Sequence, residues 1–235
     1  MISPNRNSRS RRRDRELTAR RREEILEVAA QVFARRGYPG TDVQIVADEL
    51  GVGKGTIYRY FPSKQDLFLA AVDRAMVQLK GAVDAATDAA DPLERIAQAV
   101  RAFVDHFLTH PEFIELLIQE RAEFRDRKKP TYLAHREANV GPWRELLKGL
   151  IEAGRVREMS VSGITDVIGD LLYGTMFTQH FSSDRGTAEA RVQHILNVIF
   201  YGILGEAERG RYRLRCANNG RCRVLERAAR RRVKA

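Results

Sequence analysis

The side chains in this sequence that could bind a partner form a short cluster of lysine, threonine and tyrosine. The cluster consists of Lys54, Gly55, Thr56, Tyr58 and Tyr60, with Lys64 shortly after it. Lysine can donate to guanine O6 or N7, and a tyrosine ring can pack on a thymine methyl group or donate to a phosphate. The glycine lets the backbone approach a partner closely. Such side chains could contact nucleic acid if a rigid element presents them to it.

Signals for catalysis or a bound metal are absent from the sequence. It contains no Ser/His/Asp arrangement, no phosphate-binding loop and no dinucleotide fingerprint. His106 and His110 are four residues apart and could share a metal ion, but no third ligand accompanies them in a known pattern. Cys216 and Cys222 could close a small oxidised loop, although two free thiols are expected in a reducing cytosol. We therefore predict no enzymatic activity, no metal and no cofactor.

The cluster lies in a segment whose apolar spacing predicts a tight two-helix corner over residues 41–61. Ala47 is small enough for a close helix crossing, and Gly51 permits the positive φ of a short turn. Val52 and Ile57 are placed to fill the gap between the helices. Thr41 followed by Gln44 has the form of a capping box that opens the first helix. The pattern is that of a helix-turn-helix, which holds its second helix in the major groove of DNA.

Helical apolar spacing continues along the rest of the chain, and no segment favours a β-strand. Nine helices are predicted, near 23–36, 41–50, 54–60, from about 64 through at least Val83, and near 91–110, 112–127, 131–153, 162–182 and 187–205. Ser63 is expected to cap the fourth helix, and Gly37 to end the first. The predicted fold class is all-α.

The run from Gly51 to Lys64, GVGKGTIYRYFPSK, closely resembles the DNA-binding signature of TetR-type transcriptional regulators. The resemblance is strong over residues 20–68 and looser beyond. It implies an N-terminal three-helix helix-turn-helix DNA-binding domain, followed by a larger C-terminal helical domain for ligand binding and dimerisation. The expected divisions are a basic, disordered arm at 1–18, the DNA-binding domain at 19–66, the effector and dimerisation domain at 67–205, and a basic tail at 206–235.

The resemblance also implies roles for individual residues of the corner. By position, Lys54 and Tyr58 would face bases, Gln44 would reach a base or a phosphate, and Thr56, Tyr60 and Lys64 would grip phosphates. Thr41 and Gly55 complete the predicted DNA-binding set. Gly53 stands where the family often has a capping serine, and Gln44 where it often has a longer charged residue. The alternative is an ordinary helical corner in which Tyr58, Tyr60 and Phe61 are core aromatics.

The formal net charge of +10 is concentrated at the two ends of the chain. Residues 1–22 carry +7 and residues 206–235 carry +8, so the part between them is acidic. The N-terminal arm is either a disordered, solvated segment or an arm that reaches along phosphates or into the minor groove, and the C-terminal tail is expected to be a solvated helix end. No uninterrupted apolar stretch of membrane-spanning length is present, which predicts a cytosolic protein without a membrane partner.

Two later helices are predicted to carry more apolar surface than a single small domain needs. A homodimer through a four-helix bundle would use this surface. Its predicted residues are Ile164, Ile168, Leu171, Val192, Ile195, Leu196, Ile199 and Ile203. The alternative is a helix pair packed inside one chain.

Glu120 falls on an apolar helical face, where a carboxylate needs a partner. The partner could be an internal arginine such as Arg101 or Arg144, water, or a cationic or hydrogen-bonding ligand. The last alternative predicts an apolar effector pocket lined by Phe103, Phe107, Glu120, Trp143, Tyr173, Phe177 and His180.

Together these observations favour a DNA-binding regulator over the other classes of protein. We expect a dimeric repressor that a small, largely apolar ligand releases from a palindromic operator. One alternative is an architectural or nucleoid-associated DNA binder without an effector. A less favoured one is an enzyme tethered to DNA by the corner.

Overall fold

The computed structural model describes residues 6–182 and 188–201 and is entirely helical over those ranges apart from the turns and loops that join its helices. Its ten helices are α1 (Arg6–Arg36), α2 (Val43–Glu49), α3 (Lys54–Tyr60), α4 (Lys64–Ala86), α5 (Pro92–Thr109), α6 (Pro111–Glu123), α7 (Thr131–Asn139), α8 (Gly141–Glu152), α9 (Val161–Phe181) and α10 (Ala188–Tyr201). The all-α prediction is confirmed. The chain divides into two compact units, Met1–Ala188 and Glu189–Ala235.

Helix α4 is the central element of the first unit. It packs against α1, α5, α6 and α7, and α1 in turn packs against α2 and α6. One continuous core runs from Ile25 of α1 through Phe68 of α4 to Met176 of α9. A smaller apolar cluster of Ile96, Leu147 and Leu150 joins α5 to α8. Helix α4 contacts α1 at the N-terminal end of the unit and α5, α6 and α7 in the rest of it. A movement in one of these parts can therefore reach the other through α4.

The N-terminal arm differs from the prediction of disorder over residues 1–18. It is helical from Arg6 onward, and the helix continues without a break to Arg36. Arginine is a strong helix former, and Arg12 donates to Glu16 one turn later. These local effects extend a helix that the core anchors at Ile25.

The cap of α2 and the helix predicted over 131–153 also differ from the predictions. Thr41 does not cap α2, because its hydroxyl donates to Gly37 O at 2.7 Å and its side chain is buried. Asp42 caps the helix instead, with its carboxylate accepting the Gln44 backbone N–H. The single helix predicted over 131–153 is two helices, α7 and α8, because Pro142 cannot donate the backbone hydrogen bond that continuity requires.

Other local predictions are confirmed. Gly37 and Gly51 have φ of +74° and +65°, the left-handed values expected after α1 and in the corner. The Ser63 side chain accepts from the Asp66 N–H at the start of α4. The basic tail, Ile203 and both cysteines lie outside the described residues.

Candidate functional sites: an exposed helical corner and an apolar chamber

The corner over residues 41–61 is held rigid by a small core beneath it. Val46, Ala47 and Ile57 are completely or almost completely buried. The Val52 N–H donates to Ala47 O at 2.9 Å, which closes the turn around Gly51. Helix α3 is thereby fixed against α2, and Gly55 and Tyr58 are exposed on its outer side.

A polar recess of about 330 Å³ opens between the starts of α2, α3 and α4. It is lined by Pro39, Gly40, Thr41, Asp42, Val43, Lys54, Tyr58 and Lys64. Lys54 Nζ lies 2.7 Å from Asp42 Oδ1 and 5.9 Å from the centroid of the Tyr58 ring. The Gln44 N–H and then the Lys54 ammonium lower the pKa of Asp42, and the hydrogen bond to Asp42 raises the pKa of Lys54.

Lys64 fastens the loop that precedes α2. Its ammonium donates to Tyr38 O at 2.8 Å and to Thr41 O at 3.0 Å, and it lies 4.4 Å from the centroid of the Tyr38 ring. In this structure Lys64 therefore positions the loop, while its charge still faces the recess.

The other predicted DNA-binding residues have mixed exposure. Gln44 is exposed and donates to Asp48 through its amide. Thr56 and Tyr60 are half-buried, and the Arg59 guanidinium lies 5.3 Å from the centroid of the Tyr60 ring. Thr41 lines the recess, although only 2% of the residue is exposed. Of the eight predicted residues, Thr41, Lys54, Tyr58 and Lys64 line the recess, and Gln44, Gly55, Thr56 and Tyr60 do not.

The basic part of α1 ends next to the corner. The Arg22 guanidinium lies 5.0 Å from the centroid of the Phe61 ring, and Phe61 ends α3. Residues 11–20 are exposed throughout. The sequence showed that arginines are concentrated in this segment. It did not predict that they lie on a helix.

A second cavity, which we call the chamber, lies between α4, α5, α7, α8 and α9. Its volume is about 920 Å³. Its principal apolar lining consists of Met76, Leu79, Val83, Ile96, Val100, Phe103, Tyr132, Trp143, Leu146, Leu147, Leu150, Ile168 and Leu172. A cavity of this size and character can hold a small, largely apolar molecule.

Charged side chains also line the chamber, and several are paired. Lys80 pairs with Asp84, and Arg155 pairs with Asp91. Arg136 donates to Asp170 at 2.8 Å and to Asp166 O at 2.9 Å. Its guanidinium crosses Gly169 so closely that a Cβ there would lie 2.5 Å from it. Arg136 consequently joins α7 to α9 along one wall of the chamber.

The predicted ligand-binding residues separate into two groups. Phe103 and Trp143 line the chamber, whereas Phe107, Glu120, Tyr173, Phe177 and His180 do not. Tyr173 lies behind Tyr132, with the two ring centroids 4.5 Å apart, and Phe177 packs on Tyr173. His180 Nε2 is 2.6 Å from Glu115 Oε1. Tyr132 and the α4 residues Leu79 and Val83 also line the chamber, which was not predicted, although the apolar stripe of α4 continues to Val83.

Glu120 has its partners within the protein. Only 2% of the residue is exposed. Oε1 accepts from Arg127 Nη1 at 2.8 Å and from the Thr131 hydroxyl at 2.6 Å, and both carboxylate oxygens are within 3.1 Å of the Thr131 N–H. The partner is thus Arg127, not the expected Arg101 or Arg144. Glu120 fastens the loop between α6 and α7.

The predicted dimer residues do not form one exposed surface in the first unit. Ile164 packs against the smaller apolar cluster, and Ile168 lines the chamber. Leu171 is half-buried, while Val167 nearby on α9 is 68% exposed. Val192, Ile195, Leu196 and Ile199 lie on α10, which belongs to the second unit from Glu189 onward.

A set of contacts joins the end of α6 to the loop that precedes α2. The Phe124 ring lies 5.0 Å from Tyr38 and 5.5 Å from Phe68, measured between ring centroids. Gln119 Nε2 donates to Phe33 O at the end of α1. Because Tyr38 also accepts from Lys64, the loop beside the recess touches both α4 and the end of α6.

Two features that would bear on function are absent from the described residues. No helix there is long and apolar enough to span a membrane. Those residues also contain no group of three or more His, Cys, Asp or Glu side chains arranged to hold a metal ion.

Comparison with known proteins places both parts of this architecture in one family. The family model for bacterial regulatory proteins of the tetR family matches residues 25–71. The model for a tetracyclin repressor-like C-terminal domain matches residues 89–176. Together they match more than half of the chain.

Individual relatives agree with the family models. The transcriptional repressor KstR2 of Mycobacterium tuberculosis is 29% identical over 198 residues, which are 79% of this chain and 94% of KstR2. The repressor NicS of Pseudomonas putida is 28% identical over 59% of this chain and 65% of its own length. The chain spans less than two thirds of the length of the first curated relatives that it matches.

A solved structure shows the same fold. The TetR family regulator PfmR of Thermus thermophilus is 27% identical, with a TM-score of 0.63 over 77% of this chain and 99% of PfmR. With a helix-turn-helix corner, a helical C-terminal domain and matches to both family models, the chain belongs to the TetR family of bacterial DNA-binding transcriptional regulators.

Proposed function

We propose that this protein is a homodimeric repressor that reads a palindromic operator with its corner and releases it when a small, largely apolar effector enters the chamber. The observation that carries the proposal is that one helix serves both sites. Helix α4 begins with Lys64, which fastens the loop beside the recess, and lines the chamber from Met76 to Val83.

The corner has the chemistry that DNA recognition requires. Lys54 and Tyr58 project from a rigid short helix, and Lys64 adds a second ammonium to the same recess. Lysine and tyrosine can read base edges, while the remaining donors hold phosphates and fix the register. Arginines of α1 beside Phe61 would extend this contact to flanking phosphates.

The chamber supports an effector that is mostly apolar. Aromatic rings from three helices, Phe103, Tyr132 and Trp143, line it together with aliphatic side chains. A molecule pressing on Met76 or Leu79 would shift α4, and Lys64 would move with it. Binding that favours the shifted state lowers operator affinity by the ligand's preference between the two states.

Dimerisation would use the outward face of α9, which exposes Val167 and Phe181. Two copies related by a twofold axis place two recognition helices about one DNA turn apart, or somewhat more, which matches a palindromic operator. The expected result is a dimer by light scattering that Val167→Asp converts to a monomer. A monomeric unsubstituted protein would contradict this part of the proposal.

The DNA-binding test uses the duplex that flanks the protein's own gene and a scrambled duplex of the same composition. By fluorescence anisotropy across salt concentrations, we expect roughly a thousandfold preference for the first duplex. Lys54→Ala and Tyr58→Ala should abolish that preference, while Lys148→Ala, which removes an exposed lysine of α8, should not. Equal binding to both duplexes would favour an architectural DNA binder.

The effector test uses the only tryptophan of the chain, Trp143, which lines the chamber. Anilinonaphthalene sulfonate serves as the apolar probe, and we expect energy transfer from Trp143 that candidate effectors reverse. Leu79→Phe narrows the chamber and should abolish both probe binding and effector release of DNA. Val77→Phe, on the exposed side of the same helix, should leave both unchanged.

The same titration separates a sensor from an enzyme. A regulator returns its effector chemically unchanged, so mass spectrometry after prolonged incubation should recover the added compound. A regulator of this kind works in the bacterial cytoplasm, where the chromosome lies. Sustained turnover of a bound compound would instead support the alternative of an enzyme tethered to DNA.

A further inference from the structure

An acidic side chain lies among the cations of the DNA-facing recess. Asp42 is the carboxylate residue among those that line the recess, and it lies there with Lys54 and Lys64. Its side chain is 61% exposed, so it faces the side from which DNA phosphates would approach. A carboxylate in that place repels phosphate and needs a reason to be there.

One oxygen of Asp42 performs two tasks. Oδ1 accepts the Gln44 backbone N–H at 2.7 Å, which caps α2, and it also accepts from Lys54 Nζ at 2.7 Å. The capped carboxylate cannot rotate away without losing a hydrogen bond. The pair therefore holds the ammonium at the first residue of α3 in a fixed place and neutralises its charge.

The pairing of Asp42 with Lys54 is expected to affect binding to operator DNA and to other DNA differently. An ammonium has three N–H donors, so Lys54 can keep its bond to Asp42 and still donate to guanine O6 and N7. On DNA that lacks this base, Lys54 can only exchange Asp42 for a phosphate. That exchange of one anion for another yields little free energy and leaves the Asp42 carboxylate facing phosphates.

We propose that Asp42 is a specificity-determining residue: by pairing with Lys54 it suppresses binding to DNA without the operator while leaving Lys54 able to read its base. The proposal rests on the proposed function of the corner in operator recognition. Discrimination then depends on an electrostatic penalty against DNA without the operator as well as on contacts with the operator.

The test compares Asp42→Asn with Asp48→Asn. Asparagine keeps an oxygen at the capping position of α2 but cannot hold Lys54 as an ion pair. Asp48, on the same helix, bonds to Gln44 instead of Lys54, so its variant removes an equal charge nearby. Each protein is titrated with a random 30-base-pair duplex and with the operator over a range of salt concentrations.

We expect Asp42→Asn to bind the random duplex about tenfold more tightly, with a logarithmic salt slope steeper by about one because one more lysine charge meets phosphate. Operator affinity should change by less than about threefold, so discrimination falls. Asp48→Asn should change both affinities by similar, smaller factors.

A second pair of variants isolates the contact between the two side chains. In a Lys54→Gln background, Asp42→Asn should no longer increase the affinity for random DNA beyond the effect of Asp48→Asn. Circular dichroism checks that α2 remains folded, and Asp42→Ser provides an uncharged cap if the asparagine variant unfolds.

The outcomes distinguish this inference from the proposed function. Equal effects of Asp42→Asn and Asp48→Asn on random DNA, or an effect that persists without Lys54, would overturn the role of Asp42. Failure of the unsubstituted protein to prefer any operator would overturn the proposed function, and that result comes from a separate titration.

Discussion

The corner and the loop between α6 and α7 use polar side chains in opposite ways. In the corner, the pair between Lys54 and Asp42 is exposed, so an incoming DNA group can replace it at little cost. At the loop between α6 and α7, Glu120 is buried, and its carboxylate accepts hydrogen bonds from Arg127 and Thr131. From this contrast we predict that a polar group's burial, more than its chemical type, separates residues that bind a partner from residues that position a loop.

Glu120→Gln should produce the largest effect and would break the comparison if it did not. The neutral amide places a donor against the Thr131 N–H and hydroxyl and leaves Arg127 without its anion. We expect the free energy of unfolding to fall by about 3 kcal/mol, measured by urea denaturation.

Glu115→Gln is the matched control on the same helix. Its carboxylate pairs with His180 at a more exposed site, so the loss of stability should stay below about 1 kcal/mol. A stable Glu120→Gln protein with weakened effector binding would instead identify Glu120 as a ligand contact.

The corner could be predicted from the sequence because its determinants are local. The turn at Gly51, the small Ala47 and the buried Ile57 fall within eleven residues and have the predicted burial or φ. A short motif of this kind encodes both its own geometry and the surface that it presents.

The lining of the chamber could not be predicted in the same way, because it depends on which face of each helix meets a distant one. Phe103 and Phe107 share an apolar stripe on α5, yet of the two only Phe103 lines the chamber. Glu120 required a partner, but the choice of Arg127 depended on the path of the loop that follows α6. Helical spacing identifies apolar faces without identifying their neighbours.

His106 gives a second way to test the buried side of the comparison. Burial, and then the neighbouring His110, lower its pKa to about 4, so the folded protein keeps the imidazole neutral. The unfolded chain takes up a proton below about pH 6.5. The contribution of His106 to stability is complete above that pH and is lost as the pH falls towards 4, by up to about 1.4 kcal/mol per pH unit.

Urea denaturation between pH 7 and pH 4 measures this contribution. His106→Leu should show a shallower fall in the free energy of unfolding than the unsubstituted protein, because the variant lacks one group that binds a proton only when unfolded. Parallel pH profiles for the two proteins would mean that folding leaves the proton affinity of His106 unchanged.

Gly55→Ala should have the smallest effect on stability and the sharpest consequence for the exposed side of the comparison. A Cβ at this position meets nothing within 4 Å, and alanine favours a helix more than glycine does. Stability should therefore be unchanged or rise by up to about 1 kcal/mol. If the backbone of α3 lies close to the bases, the added methyl group should nevertheless weaken operator binding about tenfold.

Gly81→Ala on α4 supplies the matched control, because a Cβ there also meets nothing within 4 Å and the residue is distant in sequence from the corner. It should be equally stable and bind the operator normally. Loss of affinity confined to Gly55→Ala would show that the corner needs a bare backbone for DNA and not for folding. Unchanged affinity in both variants would mean that α3 reaches DNA through its side chains alone, and the recognition would then rest on Lys54 and Tyr58.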